Sequence, residues 1–215
     1  HSGKIVYMST SGVSDTKEWD MKDQFSLERT PRHIWIMDSE GKDRKRLTEG
    51  SFADSRPCIS PDEKQIVFVS NRSGNLDLWS VSTETGELNQ VTDNPGIDYR
   101  PIFSPDGNNL AWFTSNTPSG KHDLCVMDIS SGKQHFPLRD RGFLLVHGPF
   151  WTADSREILF HGGRKGEKCS LWFYSFDADE ITRLELPFPV YAHGSFDEKE
   201  KLLTFDVRGE AEGRR

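Results

Sequence analysis

The feature that most constrains the fold of this chain is an internal repeat with an offset of 44 residues. The run that starts at Asp54, "DSRPCISPDEKQIVFVSNRSGNLDLW", returns at Asp98 as "DYRPIFSPDGNNLAWFTSN". Such an offset is too long for a heptad and too short for two separate domains. It predicts a repeat architecture in which each unit buries one apolar face against its neighbours.

Each repeat contains four short strands. In the unit 55–98 the segments "RPCIS", "QIVFVS", "LDLWSVS" and "LNQVT" have strand character, and turns such as "PDEK" and "NRSGN" separate them. The units 99–146 and 147–192 repeat this order. One turn position always holds aspartate, and an aromatic follows six residues later, which indicates a core between packed sheets. These positions are Asp62, Asp106 and Asp154, and then Phe68, Trp112 and Phe160.

The two ends of the repeat array are incomplete. The unit 3–54 lacks its first strand, the unit 193–207 has only its first two strands, and 208–215 is a polar tail. Four-stranded antiparallel sheets at this period predict an all-β β-propeller, a single domain over 1–215 with about four to five blades. It is either an incomplete six- or seven-bladed ring, which we favour, or a smaller ring that the last half unit closes. In an incomplete ring, the apolar faces of the end blades would be open and would pair with another chain, such as a second copy.

The repeat also resembles a known family. The run "SRPCISPDEKQIVFVSNRSGNLDLWSVSTETGELNQVT" resembles the repeat of TolB-like propellers, the Pro-Asp-type relatives of WD repeats. The pattern is strong in 55–92, good in 99–138 and weaker in 147–186, where Ser-Pro-Asp becomes "TAD"; in 32–48 only "HIWIMDSEGKDRKRLT" matches. The resemblance implies a propeller fold but no single function.

The family that this repeat resembles has several roles. It includes TolB, a periplasmic protein that binds partner proteins, and propellers that cap prolyl-oligopeptidase and tricorn-type proteases. A related group comprises the oligogalacturonate lyases. The sequence shows neither the amino-terminal domain of TolB nor a protease domain, so neither role carries over directly.

Three histidines are candidate metal ligands. "HGPF" and "HGSF" place His147 and His193 at equivalent positions of adjacent units, and His161 ends the second strand in "LFHGG". Three imidazoles at one end of adjoining blades could hold a transition metal. Lyase-like propellers use histidines around a divalent metal, so the resemblance implies an ion such as manganese there. The alternative, which we favour, is that these histidines cap backbone groups or pack on neighbours and that no cofactor is bound.

A long connection separates the first two strands of the chain. It runs over about 10–32, whereas its counterparts at 71–75 and 116–122 have five to seven residues. Long loops in compact domains are usually functional or disordered. This one carries Trp19 and Phe25 among many charges, which predicts a contact surface or lid.

A recurring Asp-x-Arg brings two arginines into the first strands of their blades. It occupies 54–56 and 98–100, so Arg56 and Arg100 are equivalent. One interpretation is an anion site. The other, which we favour from the sequence, is an ion pair between blades that recurs because the blades recur.

Composition excludes some classes of function. A net charge of −7 and a pI of about 5.5 argue against a protein that tracks nucleic-acid phosphates. No apolar run approaches the roughly 18 residues of a membrane span. No signal sequence is visible, so the chain is periplasmic or secreted if one was removed and cytoplasmic otherwise. Each of Cys58, Cys125 and Cys169 falls in a predicted strand as a small buried hydrophobe with a free thiol.

The motifs favour a binding scaffold over an enzyme. A G-x-S-x-G elbow and a P-loop are both missing from the sequence. We therefore expect a propeller that binds a protein or a small ligand through the face that carries the long connection. The alternative is a carbohydrate-active propeller, a lyase of acidic oligosaccharides, with the three histidines near a metal and Arg56 or Arg100 on a substrate carboxylate.

Overall fold

The described part of the protein consists of strands and turns. A computed structural model describes residues 3–9, 31–115, 122–185, 194–197 and 202–205. Seventeen strands form five sheets, of which three have four strands, one has three and one has two. No helix in these ranges has the length and apolar character needed to cross a membrane.

The strands follow one another within each sheet in chain order. The first sheet contains β1 (Ile5–Ser9), β2 (His33–Met37) and β3 (Lys45–Arg46). The second contains β4 (Ser55–Ile59), β5 (Gln65–Ser70), β6 (Asp77–Ser82) and β7 (Leu88–Gln90). The third contains β8 (Asp98–Phe103), β9 (Asn109–Thr114), β10 (Asp123–Asp128) and β11 (Gln134–His135). The fourth contains β12 (Phe143–Trp151), β13 (Glu157–Arg164), β14 (Ser170–Ser175) and β15 (Glu180–Arg183), and the fifth β16 (Gly194–Asp197) and β17 (Leu202–Phe205).

This succession confirms the all-β, four-stranded blades predicted from the repeat. Among the described residues, the first sheet has three strands and the last has two. One strand crosses a predicted unit boundary: β12 begins at Phe143, four residues before the predicted unit 147–192. It is longer because Phe143 pairs with Arg164 and Leu145 with Gly163, so β12 and β13 extend together past the repeat pattern.

The chain divides into two compact units. The first comprises His1–Phe103 with Thr114–Asn116, and the second Ser104–Phe113 with Thr117–Arg215. In the first unit, Ile34 and Leu47 pack with Ile66, Phe68 and Val81, so that neighbouring sheets share one core. Every member of this cluster is buried. The apolar face of one blade is therefore covered by the next, as a repeat fold requires.

The second unit has a core richer in aromatics. Leu159 and Leu171 pack against Phe150 and Phe173, and the ring of Phe143 meets that of Phe160 edge-on at 5.3 Å. The aromatic predicted in each repeat is buried in both units. Phe68 and Phe160 are 0% exposed, and Trp112 is 2% exposed.

The turn aspartate has a structural role in every full blade. The hydroxyl two residues before it donates to its carboxylate, at 2.6 Å from Ser60 to Asp62 and 2.8 Å from Thr152 to Asp154. The backbone N–H two residues after it donates to the same oxygen. These hydrogen bonds lower the pKa of both carboxyls, the hydroxyl contact having the largest effect. The repeated Ser-Pro-Asp is therefore turn chemistry and not a ligand site.

The three cysteines are free thiols. Cys58 lies in β4 and Cys125 in β10, whereas Cys169 precedes β14 and so is not in a strand as predicted. Only Cys125 is fully buried. The Phe103 N–H donates to the Cys58 Sγ at 3.4 Å, which suits a packing role for that thiol.

Candidate functional site

The first strand of each full blade contains one residue with a left-handed backbone. Arg56 has φ 50°, Arg100 has φ 56° and the equivalent Gly148 has φ 61°. In β4 the register with β5 shifts between Ser55 and Cys58, and in β12 the register with β13 shifts between His147 and Phe150. A bulge therefore interrupts β4 and β12 at this position, and the left-handed Arg100 marks the equivalent position of β8. Proline follows the bulged residue each time and needs no ladder partner.

Two of these bulges carry arginine although glycine would be less strained. A side chain disfavours the left-handed region by about 1–2 kcal/mol per residue, and bulges often redirect a side chain at a functional site. Arg56 and Arg100, which we call the arginine pair, keep this conformation in adjacent blades. Backbone strain of this kind clusters where a side chain has a function.

The arginine pair lies in one electrostatic environment. Strands β4 and β8 pack side by side. Arg56 reaches solvent and Arg100 is half-buried, yet surrounding protein desolvates both guanidinium groups and lowers the pKa of each. The positive charge of Arg56 lowers the pKa of Arg100 further. Both groups remain protonated because arginine titrates far above neutral pH, so the two charges repel each other in this surrounding.

Tyr99 contributes a hydroxyl beside the arginine pair. Burial raises the pKa of Tyr99 to about 12, although Arg100 and Arg56 both oppose the shift. The phenol is therefore neutral near pH 7 and keeps its proton as a donor. The two guanidinium groups provide donors only, and the nearby phenol can also donate, an arrangement that attracts an oxyanion.

The ion pair predicted between blades at the Asp-x-Arg motif is wrong for the described residues. Neither Arg56 nor Arg100 forms an ion pair in that part of the chain. Asp54 instead accepts from Arg72, whose Nη2 lies 2.7 and 2.8 Å from the two carboxylate oxygens. Asp98 accepts from the Asn94 amide at 2.6 Å. The bulge accounts for this difference, since it separates each arginine from the aspartate two residues before it.

Sequence reasoning missed Arg32. Its backbone bridges Ala53 in parallel, with the Arg32 N–H donating to Phe52 O at 3.0 Å and the Asp54 N–H to Arg32 O at 3.3 Å. The Nη1 of Arg32 is buried without a hydrogen-bond partner, and desolvation lowers its pKa. No repeat signal marks this arginine, because it ends a connection that the other blades do not share.

The described residues include two of the three histidines that were predicted as metal ligands. In the β12–β13 ladder, the backbone of His147 pairs directly with that of His161, and the His161 side chain is 7% exposed. His193 lies outside the described residues, as do Trp19 and Phe25 of the long connection. Across the described residues, no group of three or more His, Cys, Asp or Glu side chains could hold a metal.

Two buried carboxylates lie close to the same strand starts. Asp77 begins β6 and Asp98 begins β8, and they are 1% and 0% exposed. One oxygen of each has no hydrogen-bond partner in the described structure. Burial raises the pKa of Asp77, and the charges of Asp98 and Asp93 raise it further. In the preceding blade the counterpart of Asp98, Asp54, is neutralised by Arg72.

The comparisons with known proteins identify this architecture. Over 87% of its length the chain superposes on TolB from Acinetobacter baumannii with a TM-score of 0.72 and 21% identity. It matches a putative TolB from Agrobacterium tumefaciens over 72%, with a TM-score of 0.61 and 16% identity. The chain has a TolB-like β-propeller fold. It spans 45% and 57% of these two proteins, so the likeness is to part of each.

Other comparisons place the same fold in different functional settings. The family model of the dipeptidyl peptidase IV (DPP IV) N-terminal region matches residues 15–119. An oligogalacturonate lyase solved in complex with manganese superposes on 84% of the chain, and 65% of the lyase is covered, with a TM-score of 0.50 and 15% identity. The search of curated proteins found no match. The fold therefore occurs in TolB and in a lyase alike, and the function of such a propeller depends on its site.

Proposed function

We propose that this TolB-like propeller is a binding scaffold whose partner or ligand presents an oxyanion to the arginine pair. The observation that carries the proposal is the conformation of Arg56 and Arg100, two strained and desolvated arginines without an ion pair in the described residues. An oxyanion would remove their repulsion and accept from both planar forks. A carboxylate or a phosphate meets this requirement.

The net charge of the chain means that an anion would need a local group of donors, such as the arginine pair, in order to bind. The whole chain carries −7, so its average field repels an anion. Binding must then depend on a local cluster of donors, and Arg56, Arg100 and Tyr99 form one on adjacent strand starts.

Thermal unfolding with added anions tests the proposal. Citrate and sulfate at constant ionic strength should raise the midpoint of the protein, because a ligand that binds only the folded state stabilises it. The Arg56→Gln/Arg100→Gln variant should lose this shift. Arg44→Gln is the matched control, since Arg44 is an exposed arginine of the same unit. Equal shifts in all three proteins would reject an oxyanion site at the arginine pair.

A metal-dependent lyase of acidic oligosaccharides is the second candidate. It is favoured by the pairing of His147 with His161 in the β12–β13 ladder and by the fold shared with the manganese-bound oligogalacturonate lyase. Imidazoles would hold the metal, which would supply Lewis-acid chemistry, and the arginine pair would hold a uronate carboxylate. Manganese titration of the protein and of His161→Ala separates the candidates: the lyase needs manganese binding that His161→Ala abolishes, and the scaffold does not.

A further inference from the structure

We propose that the ligand of the arginine pair is an extended acidic peptide segment, and that Arg32 binds a second carboxylate of the same segment. This rests on the proposed function, since the first carboxylate is the oxyanion held by Arg56 and Arg100. Arg32 supplies the new observation. It is a third arginine of the first unit that is desolvated and forms no ion pair in the described ranges.

The backbone sets the spacing between the two contact points. Arg32 bridges Ala53, and Ala53 precedes Arg56 by three residues in the chain that enters β4. At about 3.3 Å per residue, the two positions are about 10 Å apart along that direction. A chain in the polyproline II conformation, with three residues per turn and a rise of about 3.1 Å per residue, places anionic groups three residues apart on one face at about this spacing.

The Arg32 side chain has a hydrogen-bond donor without an acceptor. Its Nη1 is buried and has no hydrogen-bond partner in the described structure. A buried donor without an acceptor is costly, and a carboxylate can accept from several guanidinium hydrogens at once. An acidic side chain that enters at Arg32 would satisfy this donor and neutralise the charge.

The surface beside this arginine row, Arg32, Arg56 and Arg100, favours a peptide over a sugar chain. Ile97 precedes Arg100 by three residues, as Ala53 precedes Arg56, and its side chain is 43% exposed. It offers a contact for an apolar residue of a peptide. Sugar rings usually pack on exposed aromatic faces, and no aromatic side chain whose burial is described between residues 3 and 185 belongs to the exposed class. Peptide carboxylates with a neighbouring apolar side chain therefore suit the row best.

Fluorescence anisotropy with designed peptides tests this inference. The probe is a labelled, amidated peptide, Gly-Ser-Glu-Ser-Gly-Glu-Leu-Ser-Gly, whose two glutamates are three residues apart. Its controls replace the second glutamate by glutamine, or move the two glutamates next to each other. The protein should bind the probe about tenfold or more tightly than either control, equivalent to about 1.4 kcal/mol. Equal affinity for the three peptides would overturn the inference.

The protein variants locate the second contact. Arg32→Gln should reduce the affinity for the two-glutamate probe to that of the one-glutamate peptide, and Arg32→Ala provides a second variant if the first unfolds. Arg44→Gln is the charge-matched control and should keep the spacing preference. A spacing preference that survives in both Arg32 variants would contradict the role of Arg32. Tighter binding of an oligogalacturonate of matched charge would contradict a peptide partner.

The citrate and peptide measurements together distinguish failure of this inference from failure of the proposed function. Citrate that binds the arginine pair, together with peptides that show no spacing preference, would reject the extended peptide and leave the oxyanion site. Citrate and peptides that both fail to bind would reject the two together. Citrate binding, a spacing preference and its loss in Arg32→Gln would support both.

Discussion

At the scale of single residues, Arg72 shows what a buried cation requires in this fold. Its guanidinium is bonded to both oxygens of Asp54, its Nε donates to Ser70 Oγ at 2.9 Å, and the rings of Phe52, Phe68 and Trp79 lie 5.0–5.5 Å from its centre. Both members of the ion pair are almost fully buried. Among the described residues, Arg56 and Arg100 form no such ion pair, and the proposed binding role rests on this contrast.

Removal of Arg72 should destabilise the protein strongly. Arg72→Ala leaves the Asp54 carboxylate buried and unpaired, so the free energy of unfolding should fall by about 3–5 kcal/mol. Urea denaturation measures the loss, and Arg44→Ala should change it by no more than about 0.5 kcal/mol. Replacing both partners, as Arg72→Met/Asp54→Leu, should cost less than Arg72→Ala. A loss below about 1 kcal/mol for Arg72→Ala would show that the buried pair does not stabilise the first unit.

Asp77 should make stability depend on pH in the opposite direction to the turn aspartates. Its folded pKa is raised by burial, so its contribution is present below the unfolded pKa of about 3.9 and is lost as pH rises through the folded pKa. Asp77→Asn stays neutral and can still accept from Ser73, which donates to Asp77 at 2.6 Å.

Thermal unfolding across pH measures this difference. Asp77→Asn should unfold at a higher temperature than the parent protein near pH 7, and the gap should close near pH 3, where both side chains are neutral. Glu84→Gln is the control, because Glu84 is an exposed carboxyl of the same unit and does not belong to the charges that raise the pKa of Asp77; it should show little change. A gap that widens as the pH falls would mean that Asp77 is stabilised in its charged form.

At the scale of strands and turns, the repeat predicted the fold well because one packing solution recurs. Every predicted strand is present, and β5 has the bounds read from "QIVFVS". The turn aspartates and the buried aromatics also recur at fixed positions, since each blade solves the same problem of burial. The extra pairing between the start of β12 and the end of β13, near Phe143, was not predictable, because this extension has no counterpart in the other blades.

The candidate site was less predictable than the fold. The residue types of Arg56 and Arg100 were visible, but the bulge that separates them from Asp54 and Asp98 was not. An Asp-x-Arg reads as an ion pair, and only φ values of 50° and 56° show that the arginine turns away from that pairing. Arg32 carries no periodic signal, and its approach to Ala53 is a long-range contact that sequence spacing does not encode.

The bulge itself should tolerate glycine but not a branched residue. Arg100→Gly matches Gly148, the natural residue at the equivalent bulge, and should unfold at a urea concentration equal to or above that of the parent protein. Arg100→Val should lose about 1–2 kcal/mol, because a β-branched side chain is strained at positive φ. Equal stability of the two variants would contradict a strained left-handed residue at this position.

At the scale of the whole molecule, the fold is shared by proteins with different activities, so the site decides the function. TolB and a manganese-bound oligogalacturonate lyase both superpose on most of this chain. A lyase would need a metal centre, whereas a scaffold needs only a complementary surface. In both proposals the arginine pair would hold a carboxylate, so substitution of Arg56 and Arg100 tests both.

Calorimetric titration of citrate into the parent protein, Arg56→Gln, Arg100→Gln and the double variant tests the central claim most directly. Because both guanidinium groups hold one oxyanion, each single variant should bind citrate about tenfold or more weakly, and the double variant should show no binding heat. Thermal unfolding of the four proteins establishes that all are folded. Citrate binding of unchanged affinity in the folded double variant would contradict the claim that the arginine pair is the binding site.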